Sequence, residues 1–212
     1  MEKLLALKAL GNFPLSTSSI LPLLREYKRP YDKINYWVKS GDLIQVKKGL
    51  YVLGNRFSEK SPDPFLLANQ IYGPSYISMD SALSFHGLIP ERVFQITSVS
   101  TRTSKQFNTA MGRFDYIQVK PSYFSFGIGN YGNPTSGYFM MASPEKALWD
   151  KIVLTSGVLF RSKVDVMQFL EEDLRIDLTV VSNWNPEQMA NWVPFSPKKS
   201  SLQLFIKTLK EL

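Results

Sequence analysis

The residue types that carry acid–base, nucleophilic or metal chemistry are scarce in this chain of 212 residues, which holds one histidine, His86, and no cysteine. Without a thiol there is no disulfide, thiolate zinc site or cysteine nucleophile. With a single imidazole, a metal centre would have to be built mainly of carboxylates. The acidic residues are scattered, and the trio Glu171, Glu172 and Asp173 is consecutive, so the three cannot share a helix face and read as solvated surface. His86 stands beside Gly87 at an expected helix end, where an imidazole suits the terminal carbonyls in a structural role. No serine triad can be assembled for want of a free histidine, and no P-loop, kinase signature or nucleophile elbow is present. Gly127-Ile128-Gly129-Asn130-Tyr131-Gly132 matches G-x-G-x-x-G, but Asn133-Pro134-Thr135-Ser136-Gly137 and a strand follow it. No helix N-terminus is then directed at a pyrophosphate, and the segment reads as a flexible sheet connection. The chain is expected to be no enzyme, with no catalytic residue, metal or cofactor.

What the chain does possess is cations set among amide and aromatic side chains near its start. Residues 1–60 carry 11 Lys and Arg against 5 Asp and Glu, whereas residues 61–212 carry 14 against 13, so nearly all of the formal net charge of +7 lies in the first quarter. Ile34, Trp37 and Val38 fall at i, i+3 and i+4 and define the buried stripe of a helix opened by Pro30 and ended by Gly41. At about 100° per residue, Asp32, Asn35, Tyr36 and Lys39 project from its other side, with Lys33 on the flank and Lys28 and Arg29 just ahead. Asn reads adenine bidentately, Lys and Arg read guanine or grip phosphate, and Tyr donates to phosphate oxygen. A period-2 stretch, Leu43 to Lys47, and Leu50 to Leu53 then make a hairpin tipped by Lys47 and Lys48, which would reach the flanking backbone. The expected DNA-contacting set is therefore Lys28, Arg29, Lys33, Asn35, Tyr36, Lys39, Lys47 and Lys48. The plainer alternative is a protein-docking module whose lysines keep it soluble.

The elements that position these residues follow from caps and breakers. Leu4, Leu5, Leu7 and Leu10 predict a first helix stopped by Gly11 and Pro14, and Ser16 to Ser19 supply N-cap oxygens for a second that contains Pro22. With the third helix and the hairpin, residues 1–58 read as a winged helix-turn-helix. A polar linker from Gly54 to Pro64 leads into residues 62–212. There, strands are expected at 76–78, 94–100, 114–120 and 138–142, with a weaker one at 123–128. Helices are expected from Pro64, Asp80, Pro144, Ser162, Pro186 and Pro197. Strands in the middle and helices after them give an α+β class, a mixed body with an antiparallel-rich sheet and several helices. Thr101-Arg102-Thr103-Ser104-Lys105 reads as a loop that could hold an anion, and Lys198, Lys199, Lys207 and Lys210 on the last helix as a further DNA contact or a wet face. No apolar run approaches a membrane span and no leader pattern opens the chain, so a cytoplasmic location without membrane contact is expected.

Four segments stand out together: Lys48-Gly49-Leu50-Tyr51-Val52-Leu53, Pro74-Ser75-Tyr76-Ile77-Ser78-Met79-Asp80-Ser81-Ala82-Leu83-Ser84 with Gly87-Leu88-Ile89-Pro90-Glu91, Ile96-Thr97-Ser98-Val99-Ser100, and Ser143-Pro144-Glu145-Lys146-Ala147-Leu148-Trp149-Asp150. Taken together they resemble the AbiEi family, antitoxins of type IV toxin–antitoxin and phage abortive-infection systems. Order and spacing agree over about residues 1–155. The resemblance implies a winged helix that represses its own operon by binding operator DNA, and a C-terminal domain that counteracts a toxin of nucleotidyltransferase fold. It gives neither body motif a catalytic role, and His86 stands where similar sequences are expected to hold an aromatic such as Tyr. Two rivals remain: a stand-alone winged-helix regulator whose body senses a small ligand, and a nuclease using scattered carboxylates.

Overall fold

The computed structural model describes residues 2–8, 12–58 and 60–212. Leucine spacing produces α1 (Glu2–Lys8), which buries Leu4 and Leu7; Leu10 and Gly11, expected to finish and close it, lie outside the described residues. After the short strand β1 (Leu15–Ser16), the Ser16 hydroxyl caps α2 (Thr17–Ile20) by accepting from the Ser19 N–H at 3.1 Å. A 3₁₀ turn, Leu21–Leu24, continues this helix with Pro22 in its first two positions, where a missing N–H leaves no bond unmade. α3 (Pro30–Lys39) begins at its proline and buries Ile34 and Trp37, with Val38 half-buried. β2 (Leu43–Lys47) and β3 (Leu50–Leu53) form the hairpin, and β1 pairs with β3 to give the order β1-β3-β2. Gly49 adopts φ +83° in the turn and its carbonyl accepts from the Thr17 N–H at 3.0 Å, which pins the hairpin to the start of α2.

Both faces of this hairpin are covered. Leu43, Tyr51 and Leu53 join α1, α2 and α3 in a small core with Leu24, Ile34 and Trp37. The intervening residues Val46, Leu50 and Val52 point the other way, as alternation in a strand requires, and belong to the large core of the body. Packing therefore crosses the linker at 54–64.

The body opens with α4 (Pro64–Ile71), capped by Asp63, and continues through β4 (Ser75–Ile77), α5 (Met79–Phe85), β5 (Ile96–Ser100), β6 (Lys105–Thr109) and β7 (Gly112–Gln118). A short α6 (Pro121–Phe124) leads to the hairpin β8 (Ile128–Asn133) and β9 (Gly137–Ala142), then to α7 (Pro144–Leu154), whose first turn is capped by the Ser143 hydroxyl. α8 (Lys163–Gln168) carries a Ser162–Asp165 capping box and runs into a π turn, Phe169–Asp173; α9 (Leu178–Val181), α10 (Pro186–Ala190) and α11 (Lys199–Leu209) complete the chain. The six strands lie in the order β6-β7-β5-β4-β9-β8. Pairs β6/β7, β4/β5 and β8/β9 are antiparallel, and β5/β7 and β4/β9 parallel, so the class is mixed α+β.

Three expectations are corrected. Tyr123 lies in α6 rather than in a strand, and the glycine-rich segment is the edge strand β8 rather than a connection. Lys105 opens β6, a strand that the polar composition Lys-Gln-Phe-Asn-Thr concealed. Glu171, Glu172 and Asp173 are exposed on the π turn. No helix among the described residues is long and apolar enough to cross a membrane.

Candidate nucleic-acid interface

α3 presents one continuous polar and aromatic face to solvent. Asp32, Asn35, Tyr36 and Lys39 are exposed there, with Tyr31 at 60% and Tyr36 at 58%, values that leave both rings free to contact a partner. Lys33 is half-buried, its ammonium 4.6 Å above the Tyr36 ring and 5.7 Å from the Tyr27 and Trp37 rings, a cation–π arrangement that steadies Tyr36. Lys28 and Arg29 are exposed ahead of the helix, Arg29 in a loose 3.8 Å pair with Asp32. Lys48 is exposed at the hairpin turn. Among the described residues, Lys28, Lys33, Lys39 and Lys48 form no ion pair, so their charge is left to solvent or an incoming anion.

Lys47 is placed differently from its neighbour. It is half-buried and its ammonium donates to the Ile71 carbonyl at the end of α4, joining hairpin to body. Burial lowers its pKa, and the charges of Arg102 and Lys105 lower it further. Arg102 lies 4.5 Å over the Tyr72 ring and donates to the Gly73 carbonyl at 3.4 Å, while the Ser104 hydroxyl accepts from the Gln118 N–H at 2.9 Å. The fold thus brings the charges of Arg102 and Lys105 to bear on Lys47 of the hairpin, a meeting that residues more than fifty positions apart do not announce. The last helix behaves otherwise: the Lys198 ammonium donates to the Ile152 and Thr155 carbonyls at 2.8 and 2.6 Å, and Lys210 pairs with Glu187 at 3.5 Å. Lys199 and Lys207 are exposed.

No protein-family model matches the chain, and no curated protein does.

Inside the body, sequence reasoning missed a buried polar cluster built from the segments beginning at Pro74 and Ser143. The Lys146 ammonium contacts Asp150 Oδ1 at 2.7 Å, one helical turn along α7, and both side chains are completely enclosed. Ser78 and Tyr76 donate to Asp150 Oδ2 at 2.6 and 3.1 Å, and the Tyr123 hydroxyl donates to Oδ1. Rings of Tyr123 and Phe126 lie 3.6 and 4.3 Å from the ammonium. Burial pushes both phenols well above the ordinary tyrosine value, with the Asp150 charge adding to it. Burial lowers the Lys146 pKa, opposed by Asp150. With no access to solvent, this cluster locks α7 to β4 and α6 rather than meeting a substrate. The i, i+4 spacing of Lys146 and Asp150 was its one visible signal. His86 serves the same packing: its Nε2 is 2.9 Å from the Ala142 carbonyl and its ring stands edge-on to Phe85 and Tyr131.

Proposed function

We propose that the chain is a duplex-DNA-binding repressor of its own operon, whose head acts as a winged helix-turn-helix and whose body counteracts a toxin of nucleotidyltransferase fold. The observation that carries the DNA reading is the solvent face of α3, where Asn35, Tyr36 and Lys39 stand together and the nearby lysines lack acidic partners. The order helix, strand, two helices and hairpin supports the wing assignment. In this reading α3 enters the major groove, and Lys28, Arg29 and Lys48 hold phosphate on either side. Lys47 is engaged within the fold, and its charge adds to the positive field shared with Arg102 and Lys105. The antitoxin half rests on the resemblance of the body motifs, and a cytoplasmic location goes with it.

A cavity of about 460 Å³ lined by Tyr123, Val153, Phe195 and Lys199 favours the second reading, a regulator whose body senses a small ligand. Fluorescence anisotropy with duplex from upstream of the chain's own reading frame, against a shuffled duplex, tests the DNA reading; a preference is expected, and equal binding to both overturns it. Co-expression of the full chain with a toxin of nucleotidyltransferase fold, taken from the adjoining gene where one is encoded there, separates the two readings. Growth is restored if the body is an antitoxin, including in Asn35→Ala/Lys39→Ala, which lacks operator preference.

A further inference from the structure

β8 is one free edge of the six-stranded sheet: it pairs with β9 on one side and with no described strand on the other. An edge of this kind offers a row of backbone donors and acceptors to another chain. Just ahead of β8, at Gly127 with φ +65°, an added Cβ would stand 2.7 Å from the Lys146 Cβ and 3.1 Å from the Trp192 ring, so the start of the strand is packed closely on α7 and on Trp192.

Beside this edge lies a cavity of about 420 Å³, whose walls include Gly129 and Tyr131 of β8, Glu145 in the first turn of α7, and Asn183, Trp184 and Gln188 from α9 to α10. No lysine or arginine lines it. In a chain of net charge +7, Glu145 nonetheless forms no ion pair among the described residues. The Tyr131 phenol, which lines the same cavity, is pushed up by burial and then by the Glu145 charge. The Asn183 amide nitrogen already donates to the Thr179 carbonyl at 2.7 Å, leaving its oxygen for a ligand. The cavity is therefore rich in acceptors, carries one negative charge and has an indole wall.

We propose that this edge receives an extended segment of a partner protein, which pairs with β8 as a further strand and places an arginine in the Glu145 cavity. Alternate side chains of an added strand fall on one face, so backbone pairing and pocket recognition act together. A guanidinium matches a carboxylate bidentately and stacks on an indole face, and it is planar enough to do both in one site. The inference stands apart from the DNA reading, because β8 and β6, which carries Lys105, are opposite edges of the sheet.

The test is an NMR titration of the full chain, following the amides of 128–133 and the Trp184 indole. The probes are acetyl-Thr-Val-Arg-Val-Thr-amide, its counterpart with Glu in place of Arg, and N-acetylarginine amide. The arginine peptide is expected to shift those signals and to bind about tenfold more tightly than the glutamate peptide. Glu145→Gln should erase that preference and leave the far-UV circular dichroism unchanged. If this variant fails to fold, Gln188→Ala, on the exposed face of α10, should weaken the arginine peptide alone. Absence of shifts along β8, or equal affinity for the two peptides, overturns the proposal. So does N-acetylarginine amide binding as tightly as the pentapeptide, which would make the cavity a small-molecule site.

Discussion

Asp150 accepts from Lys146, Ser78, Tyr76 and Tyr123 within a region closed to water, so it neutralises one buried cation and satisfies three hydroxyls at once. Removing one partner of a buried pair leaves an uncompensated charge, and Asp150→Ala is expected to lower unfolding free energy by about 3–5 kcal/mol in urea denaturation. A loss under about 1 kcal/mol would mean that the cluster is solvated. The same burial sets behaviour in alkali. Tyr76, Tyr116 and Tyr123 all hold their protons above the ordinary value near 10, because burial disfavours each phenolate. The unfolded chain releases those protons as pH passes about 10, so it then binds fewer protons than the folded chain and stability falls with rising pH. Lys146 acts in the opposite sense, since its folded pKa is lowered, and it adds stability as pH rises toward the unfolded lysine value. Tyr131 is raised as well, and Lys47 and Lys198 are lowered like Lys146, but the lysine gain ends near the unfolded lysine value of about 10.4, above which the tyrosine loss alone remains. Stability from these tyrosines should be complete below about pH 10 and decline above it by up to about 1.4 kcal/mol per pH unit for each. Urea midpoints from pH 9 to 11.5 check this, and Tyr116→Phe should shallow the decline.

At the scale of elements, the proposed DNA reading divides recognition between α3, which would read bases, and the hairpin, which would clamp phosphate. Asn35→Ala or Lys39→Ala is expected to weaken binding to the preferred duplex by about 1–3 kcal/mol and to blur sequence preference. Lys48→Ala should weaken all sequences alike and reduce the salt slope by about 1. Anisotropy across a salt series distinguishes them; equal loss on preferred and random duplex for all three rejects the division. α3 was legible in the sequence because its proline start, its glycine stop and the 34, 37, 38 stripe all agree, and the serine caps at 16, 143 and 162 likewise marked helix starts. The edge strands β6 and β8 were not, since Lys-Gln-Phe-Asn-Thr and Ile-Gly-Asn-Tyr-Gly-Asn have little to bury and so lack apolar alternation. Lys47 and Lys48 looked equivalent as neighbours at a hairpin tip. Only tertiary contact with the Ile71 carbonyl separates them. The burial of Lys146 went unread for the same reason, because spacing alone does not reveal that aromatic rings close over it.

Across the whole molecule, the hairpin is the seam between two cores, and its four consecutive apolar residues Leu50 to Leu53 explain how. Tyr51 and Leu53 fill the head while Leu50 and Val52 fill the body, so neither lobe can be removed without baring apolar surface on the other. Charge is arranged along the same frame. Arg102 and Lys105 gather with Lys47 near the β6 edge, and the acceptor-lined cavity of Glu145 adjoins the opposite edge, so a polyanion and a cationic segment could occupy the sheet together. A shared seam makes unfolding cooperative. Fluorine-labelled tryptophan reports the head through Trp37 and the body through Trp149, Trp184 and Trp192, and all four resonances should lose their native positions at one urea midpoint. Leu50→Ala, which opens a void on the body side of the seam, should cost about 2–5 kcal/mol and move the four midpoints together. A Trp37 transition displaced from the other three would show instead that the lobes fold independently, and the hairpin would then be only a tether.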